Sequence, residues 1–267
     1  MRAMRPSHQA AAAVLAVLTA VAAFAFQQRR SANYEYEMQN PAVDPVDKDE
    51  PGEYSFARLR YRSSGGRRRS SWGTDSNKAE RVFVQGVRRL TRVHARSVEE
   101  IVDVDDDAMY NWPWLYAVEV GHWGLSDGHA KRLRAYLDRG GFLMVDDFHG
   151  SSEWAVFEEG LRKIFPDRVI VDLQDPNQVF HVLYDLDQRF QVPGRRYIYS
   201  GQTYERDGYD AKWRAVLDDR NRVQVLICHN MDLGDAWEWA DDPRYPENFA
   251  SLAYRIGINA VVYSMTH

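Results

Sequence analysis

From Phe56 onward the chain switches repeatedly between two hydrophobic periods. FARLRYR (56–62) alternates apolar and polar residues, as a half-buried strand does. Over 77–92 the apolar positions Ala79, Val82, Phe83, Val87 and Leu90 recur at helical spacing, and Asn77 with Glu80 has the form of a capping box. WLYAVEVG (114–121) predicts a strand. LSDGHAKRLRAYLDRGG predicts a helix with Ser126 as N-cap, Ala130, Leu133 and Leu137 facing inward, and Gly140 as terminator. GFLMV (141–145) is apolar on both faces, as a central parallel strand must be. A helix is expected over 152–165, with Trp154, Phe157, Leu161 and Ile164 on one side and Pro166 beyond its end, followed by the strand RVIVDL (168–173).

After RRYIYSG, WRAVLDDRNRVQVLICHN reads as two strands about the turn Asp219-Arg220-Asn221. The chain closes with a helix, ENFASLAYRIG, handed over at Gly257 to a strand, INAVVYSM. No internal repeat is present. This order predicts an α/β fold: a doubly wound, mostly parallel sheet with helices on both faces and an antiparallel hairpin addition.

Upstream of Phe56 the pattern changes. Arg2 and Arg5 precede AAAVLAVLTAVAAFAF (11–26), which carries no charge, and Ala23-Phe24-Ala25 supplies small residues for a cut before Phe26. Residues 1–25 are therefore expected to be a signal peptide or, uncleaved, a membrane anchor; 26–55, acidic and proline-bearing, a disordered linker; 56–267, one α/β domain. The implied location is exported, periplasmic or cell-envelope associated. Net charge of -5 over 267 residues becomes -7 once Arg2 and Arg5 are removed, which argues against nucleic acid as a partner. Any membrane contact would run through the N-terminal segment. The single cysteine, Cys228, excludes an intrachain disulfide and a cysteine-rich metal cage, and its apolar setting predicts an unreactive buried thiol.

In doubly wound sheets ligands bind outside the carboxyl ends of the strands. GGFLMVDDFHG (140–150) places Asp146, Asp147 and His149 after one strand. Gly121, His122 and Trp123 follow its expected neighbour, and Asn230 and Asp232 follow a third. Carboxylates and imidazoles at one rim suit acid–base chemistry or a hard divalent ion. The plainer reading is that an aspartate caps the following helix. Strand alternation would admit at most one of the two aspartates to the rim.

The loop RSSGGRRRSSWGTDS (62–76) has the place and charge of an anion-binding loop. It carries neither G-x-G-x-x-G nor G-x-x-x-x-G-K-[ST], so a solvated surface loop is the simpler reading. Trp112, Trp114, Trp123, Trp154, Trp237, Trp239 and Tyr204 offer platforms for sugar rings or, more ordinarily, core packing. Cys228 and His229 are adjacent on a strand and point apart, which disfavours thiol catalysis.

Several segments together carry a family resemblance. Trp72, Thr74 and Asp75 in W-x-T-D, the pair Gly121-His122, GGFLMVDD, FHVLYDL (180–186), NMDLGDAWE (230–238) and RIGINAVVYSMT occur in order. Over 56–267 the chain resembles the bacterial domain of unknown function 4159. That resemblance implies a flavodoxin-like domain related to class I glutamine amidotransferases, which carry a nucleophilic cysteine in a G-x-C-x-G elbow. Here Asp146, Phe148 and Gly150 take the three elbow places, so the thiol chemistry is missing.

Two functions remain. One is a ligand- or partner-binding module of the envelope, for a small molecule, a glycan or another envelope protein, through Gly121, Trp123, Asp146, Asn230, Asp232, Trp72 and Asp75. The other is a hydrolase using His122, Asp147 and His149, with or without a metal. Sequence leaves the cofactor open.

Overall fold

A computed structural model describes residues 42–64 and 71–267. The expected signal or anchor segment, most of the expected linker and the arginines at 67–69 lie outside the described residues.

Among the described residues seven strands form one sheet: β1 (Ala57–Arg60), β2 (Glu100–Asp103), β3 (Trp114–Val118), β4 (Phe142–Asp146), β5 (Ile170–Asp172), β6 (Lys212–Leu217) and β7 (Val223–His229). Their order is β2-β1-β3-β4-β7-β6-β5. The first five in that order are parallel, and β6 runs antiparallel to both β7 and β5. The expected α/β sheet with its antiparallel addition is what forms.

Helices cover both faces. Phe56, Arg58, Trp114, Tyr116, Phe142 and Met144 point to the side covered by α1 (Lys78–Leu90), α5 (Leu233–Glu238) and α6 (Glu247–Thr266). Ala57, Leu59, Leu115, Ala117, Leu143 and Val145 point to the side covered by α2 (Asp127–Asp138) and α3 (Gly150–Ile164). A short α4 (Tyr197–Ser200) lies in the long connection from β5 to β6. Ser126 caps α2 as expected, accepting from the His129 amide at 3.1 Å, and Gly140 takes φ +103° just beyond it.

The structure differs from the sequence pattern at several points. Asn77 makes no side-chain cap hydrogen bond, and Glu80 instead turns inward to Arg58. Residues 100–103 form a strand the pattern did not announce, because β2 is an edge strand with only Val102 fully buried. RRYIYSG contains the single turn α4.

INAVVYSM is the second half of α6, not a strand. Its β-branched residues looked strand-like, but the segment packs along the sheet and is buried on most sides, so tertiary burial overrides propensity. Gly257 does not stop this helix. A Cβ there would lie 2.5 Å from the Phe83 ring and 2.8 Å from the Trp237 ring, so glycine permits the close approach of α1, α5 and α6. Asn259, on the same helix and fully buried, accepts from the Tyr184 amide at 2.9 Å and donates to the Tyr184 carbonyl at 2.8 Å, which pins the β5–β6 connection.

Residues 42–55, expected as linker, lie against α1: Arg81 donates to the Ala42 carbonyl at 2.7 Å and pairs with Asp44 at 2.9 Å, and Tyr54 bridges to Ala95. Among the described residues no helix is long and apolar enough to cross a membrane.

The sheet reverses its winding between β1 and β3, since the chain leaves β1 toward β2 on one side and continues through β3, β4 and β7 on the other. A crevice at the carboxyl ends of these strands is the expected consequence.

Candidate functional site: a basin of carboxylates at the strand ends

The residues leaving β3, β4 and β7 share one feature: Glu119, Asp147 and Asn230 have φ of +51°, +49° and +65°, and Asp75 in the loop after β1 has +63°. Left-handed backbone at a strand's end stops the alternation of its side chains. That is how two adjacent aspartates acquire separate roles.

Asp146, the last residue of β4, is fully buried on the α1/α5/α6 side. Its Oδ2 accepts from the Tyr116 hydroxyl at 2.9 Å and from the amides of Leu233 and Gly234 at 2.7 and 3.1 Å, tying β3 and β4 to the start of α5. Burial raises its pKa to about 7 against these hydrogen bonds, which favour the charged form. Asp147 turns to the rim. Its Oδ1 lies 3.2 Å from Nε2 of His149.

One oxygen from each of Asp75, Asp147 and Asp232 lies within 4.8 Å of the others. The three arrive from the loops after β1, β4 and β7, so the topology and not a local motif assembles them. Asp75 is 4% exposed, and its Oδ2 makes no hydrogen bond among the described residues. It rests against Gly234, where a Cβ would come within 2.5 Å of it. Burial first, then Asp235 and other neighbouring carboxylates, push the Asp75 pKa well up; Asp147 and Asp232 are raised in the same direction, again chiefly by burial. Asp232 Oδ1 also accepts from the Asp235 amide at 2.8 Å, capping α5.

The loop that carries Asp75 is held from beneath by Arg58. This guanidinium is fully buried, pairs with the equally buried Glu80, and donates to the carbonyls of Trp72 at 3.1 Å and Thr74 at 2.8 Å. It also sits 5.3 Å over the Tyr116 ring. Sequence reasoning passed over Arg58, because an arginine inside an alternating strand reads as a solvent-facing residue.

Beside the basin lies a second polar group. His149, 4% exposed, donates its backbone N–H to Glu153 Oε2 at 2.6 Å. Burial lowers its imidazole pKa, so the ring at neutral pH is uncharged. Glu153 Oε1 meets Nε2 of His122 at 3.0 Å and the Arg206 guanidinium at 2.6 Å. His122, Asp147 and His149, expected together as acid–base groups, thus fall into two pairs, Asp147 with His149 and His122 with Glu153.

The other expected binding residues are placed as follows. Gly121 is buried beneath Glu153, whose Cβ and Cγ occupy the space a side chain would need. Trp123 is 2% exposed and stacks on Phe157 at 5.2 Å, so its ring offers no open platform. Asn230 is spent on backbone: it accepts from the Gly150 amide at 2.9 Å and donates to the Asp210 carbonyl at 2.8 Å. Trp72 lies under the Arg60 guanidinium at 5.6 Å. Phe148, expected at the central elbow place, is fully buried against Phe157, His229 and Trp154. Cys228 is fully buried with its thiol pKa pushed well up by burial.

Asp235 and Glu238 were not singled out from sequence, although both lie in NMDLGDAWE. They are three residues apart on α5, the spacing that puts two side chains on one helix face, and this was the available signal.

A doubly wound α/β domain with a cluster of carboxylates at its strand ends is the class defined by these observations. The chain belongs to the family described as Domain of unknown function (DUF4159), whose model matches residues 55–265. No curated protein matches the chain.

Proposed function

We propose that this is a ligand-binding domain of the cell envelope that holds its ligand through a hard divalent cation, with Asp75, Asp147 and Asp232 as the protein's contribution. The observation that carries this reading is the convergence of three carboxylate oxygens within 4.8 Å, one of them on a buried side chain with an unpartnered oxygen. Buried like charges repel and are costly to ionise, and a dication bound by oxygen ligands relieves both penalties. His149 supports it by hydrogen bonding to Asp147, as ligating carboxylates are themselves usually held by a second partner. Hard, oxygen-only donors favour Mg²⁺, Mn²⁺ or Ca²⁺ over softer metals.

The leader-like start of the sequence supports the envelope location. The strand order and the sequence D-F-H-G at the turn after β4 support kinship with the class I amidotransferases, on a scaffold whose elbow carries phenylalanine in place of the nucleophile. A hydrolase is the second reading, favoured by the Asp147–His149 contact, which could accept a proton from a cation-bound water.

Isothermal titration of the full chain with Mn²⁺, Mg²⁺ and Ca²⁺ tests the proposal. Saturable binding is expected, weakened about 100-fold or more in Asp147→Asn or Asp232→Asn with far-UV circular dichroism unchanged. Absence of saturable binding in the wild-type protein at millimolar cation refutes it. Conversion of phosphate- or acyl-ester chromogenic substrates only when the cation is present would move the conclusion to the hydrolase.

A further inference from the structure

Asp75 belongs to two constellations. Besides its group with Asp147 and Asp232, it supplies an oxygen to a second set, with Asp235 and Glu238, whose ligand atoms also lie within 4.8 Å of one another. We propose that the basin takes two divalent cations, with Asp75 as the carboxylate shared between them and Asp235 and Glu238 holding the second. This deepens the cation reading given above and rests on it.

Charge decides between one ion and two. The two sets together contain five carboxylates, Asp75, Asp147, Asp232, Asp235 and Glu238. Were all ionised, a single dication would leave three negative charges in a largely buried basin; a second reduces the excess to one. Among the described residues, the local cations do not make up the difference. Arg58 is paired with Glu80 and Lys78 with Asp241 at 2.9 Å, while Arg195 reaches Asp235 through its backbone amide and lays its guanidinium over the Trp239 ring at 4.0 Å. Glu238 is 3% exposed.

An unpartnered oxygen marks the shared position. Asp75 Oδ2 is shielded from solvent without a hydrogen-bond donor, in a basin whose other members are spoken for on one side: Asp232 by the Asp235 amide, and Asp235 by the Arg195 amide at 2.6 Å. Each of these bonds engages one oxygen. Gly234 matters here as well, because the absence of a side chain lets the Asp75 carboxylate lie between the two sets. Two cations sharing a carboxylate usually sit about 3.5–4 Å apart.

The experiment is equilibrium dialysis of the full chain against Mn²⁺, with electron paramagnetic resonance of the loaded protein. Two bound Mn²⁺ per chain with an exchange-coupled spectrum are expected. Glu238→Gln, nearly isosteric, should bind one ion and show the six-line spectrum of an isolated Mn²⁺. Asp75→Asn should weaken both. One uncoupled ion in the wild type, unaffected by Glu238→Gln, overturns the second site and leaves the first standing. No ion in the wild type overturns both. The wild-type stoichiometry decides the matter even where a variant fails to fold.

Discussion

Removing Arg58 should separate what stabilises the domain from what arms the basin. Its guanidinium and the Glu80 carboxylate are both fully buried and paired, and Arg58 also donates to the carbonyls of Trp72 and Thr74, directly before Asp75. Arg58→Met leaves the Glu80 charge without a partner inside the core. Breaking one side of such a pair costs about 3–5 kcal/mol, a large part of the roughly 5–15 kcal/mol that holds a domain of this kind together. Glu80→Leu strands the Arg58 charge and should cost a similar amount. The double variant Arg58→Met/Glu80→Leu removes both charges from the low-dielectric interior. It should return to within about 2 kcal/mol of wild type, because replacing a buried pair with apolar residues of similar volume is often neutral.

Urea unfolding of the four proteins, followed by circular dichroism at one pH, gives the coupling energy as a double-mutant cycle. Cation affinity should not recover with stability. The double variant still lacks the two hydrogen bonds that hold the 72–74 backbone, so Mn²⁺ binding should stay at least about 10-fold weaker. If the two single losses simply add in the double variant, the uncompensated-charge argument is wrong. If the double variant binds Mn²⁺ as wild type does, Arg58 has no positioning role.

Gly234→Ala should keep the fold but lower Mn²⁺ affinity about 10-fold or more by isothermal titration, since its Cβ would meet Asp75 Oδ2 at 2.5 Å and the Tyr116 hydroxyl at 2.9 Å. His229 donates Nε2–H to the Gly150 carbonyl at 3.2 Å, and its pKa is lowered to about 4, first by burial. The folded state therefore binds fewer protons than the unfolded one between that value and about 6.5. Its contribution to stability is complete above this window and drains away as pH falls through it, and His229→Gln should flatten the fall in urea midpoint between about pH 6.5 and pH 4. Phe148→Cys in a Cys228→Ser background should yield a thiol that aromatic disulfide reagents modify only after unfolding, because Phe148 is enclosed by Phe157, Trp154 and His229; rapid modification of the native protein would show that this position is open.

The sheet was readable because its central strands are apolar on both faces, a pattern that a surface helix does not share. β2 was not, since an edge strand of four residues with one buried side chain carries little period to detect. α6 was divided wrongly for a physical reason: within a buried helix the hydrophobic period fades, and local propensity then points to a strand. Of the basin, the sequence exposed Asp147 and Asp232 through their strand-end positions and Asp75 through a family-like motif. Asp235 and Glu238 were hidden inside a segment quoted for its resemblance. Arg58 and Glu80 were hidden because each fits a commoner local role, an outward strand position and a capping-box acid, which only the packing of α1 on β1 overrides.

Strand alternation predicted that Asp146 and Asp147 would part company, and the left-handed turn explains how. Asn230 makes the same turn after β7 that Asp147 makes after β4, with φ of +65° and +49°. Asparagine and aspartate tolerate this conformation because their short polar side chains can bond locally, so the turn alone would account for both residues. Their side chains behave differently. Asn230 uses its amide oxygen and nitrogen on the Gly150 amide and the Asp210 carbonyl, which closes the turn and leaves little for a ligand. Asp147 takes no backbone donor through its side chain among the described residues, meets only His149, and faces two further carboxylates. A residue needed solely for its backbone would not be expected to place an ionisable group against like charges, since asparagine makes the same turn without that cost. The carboxylates that converge on Asp147 therefore favour a cation site over turn chemistry.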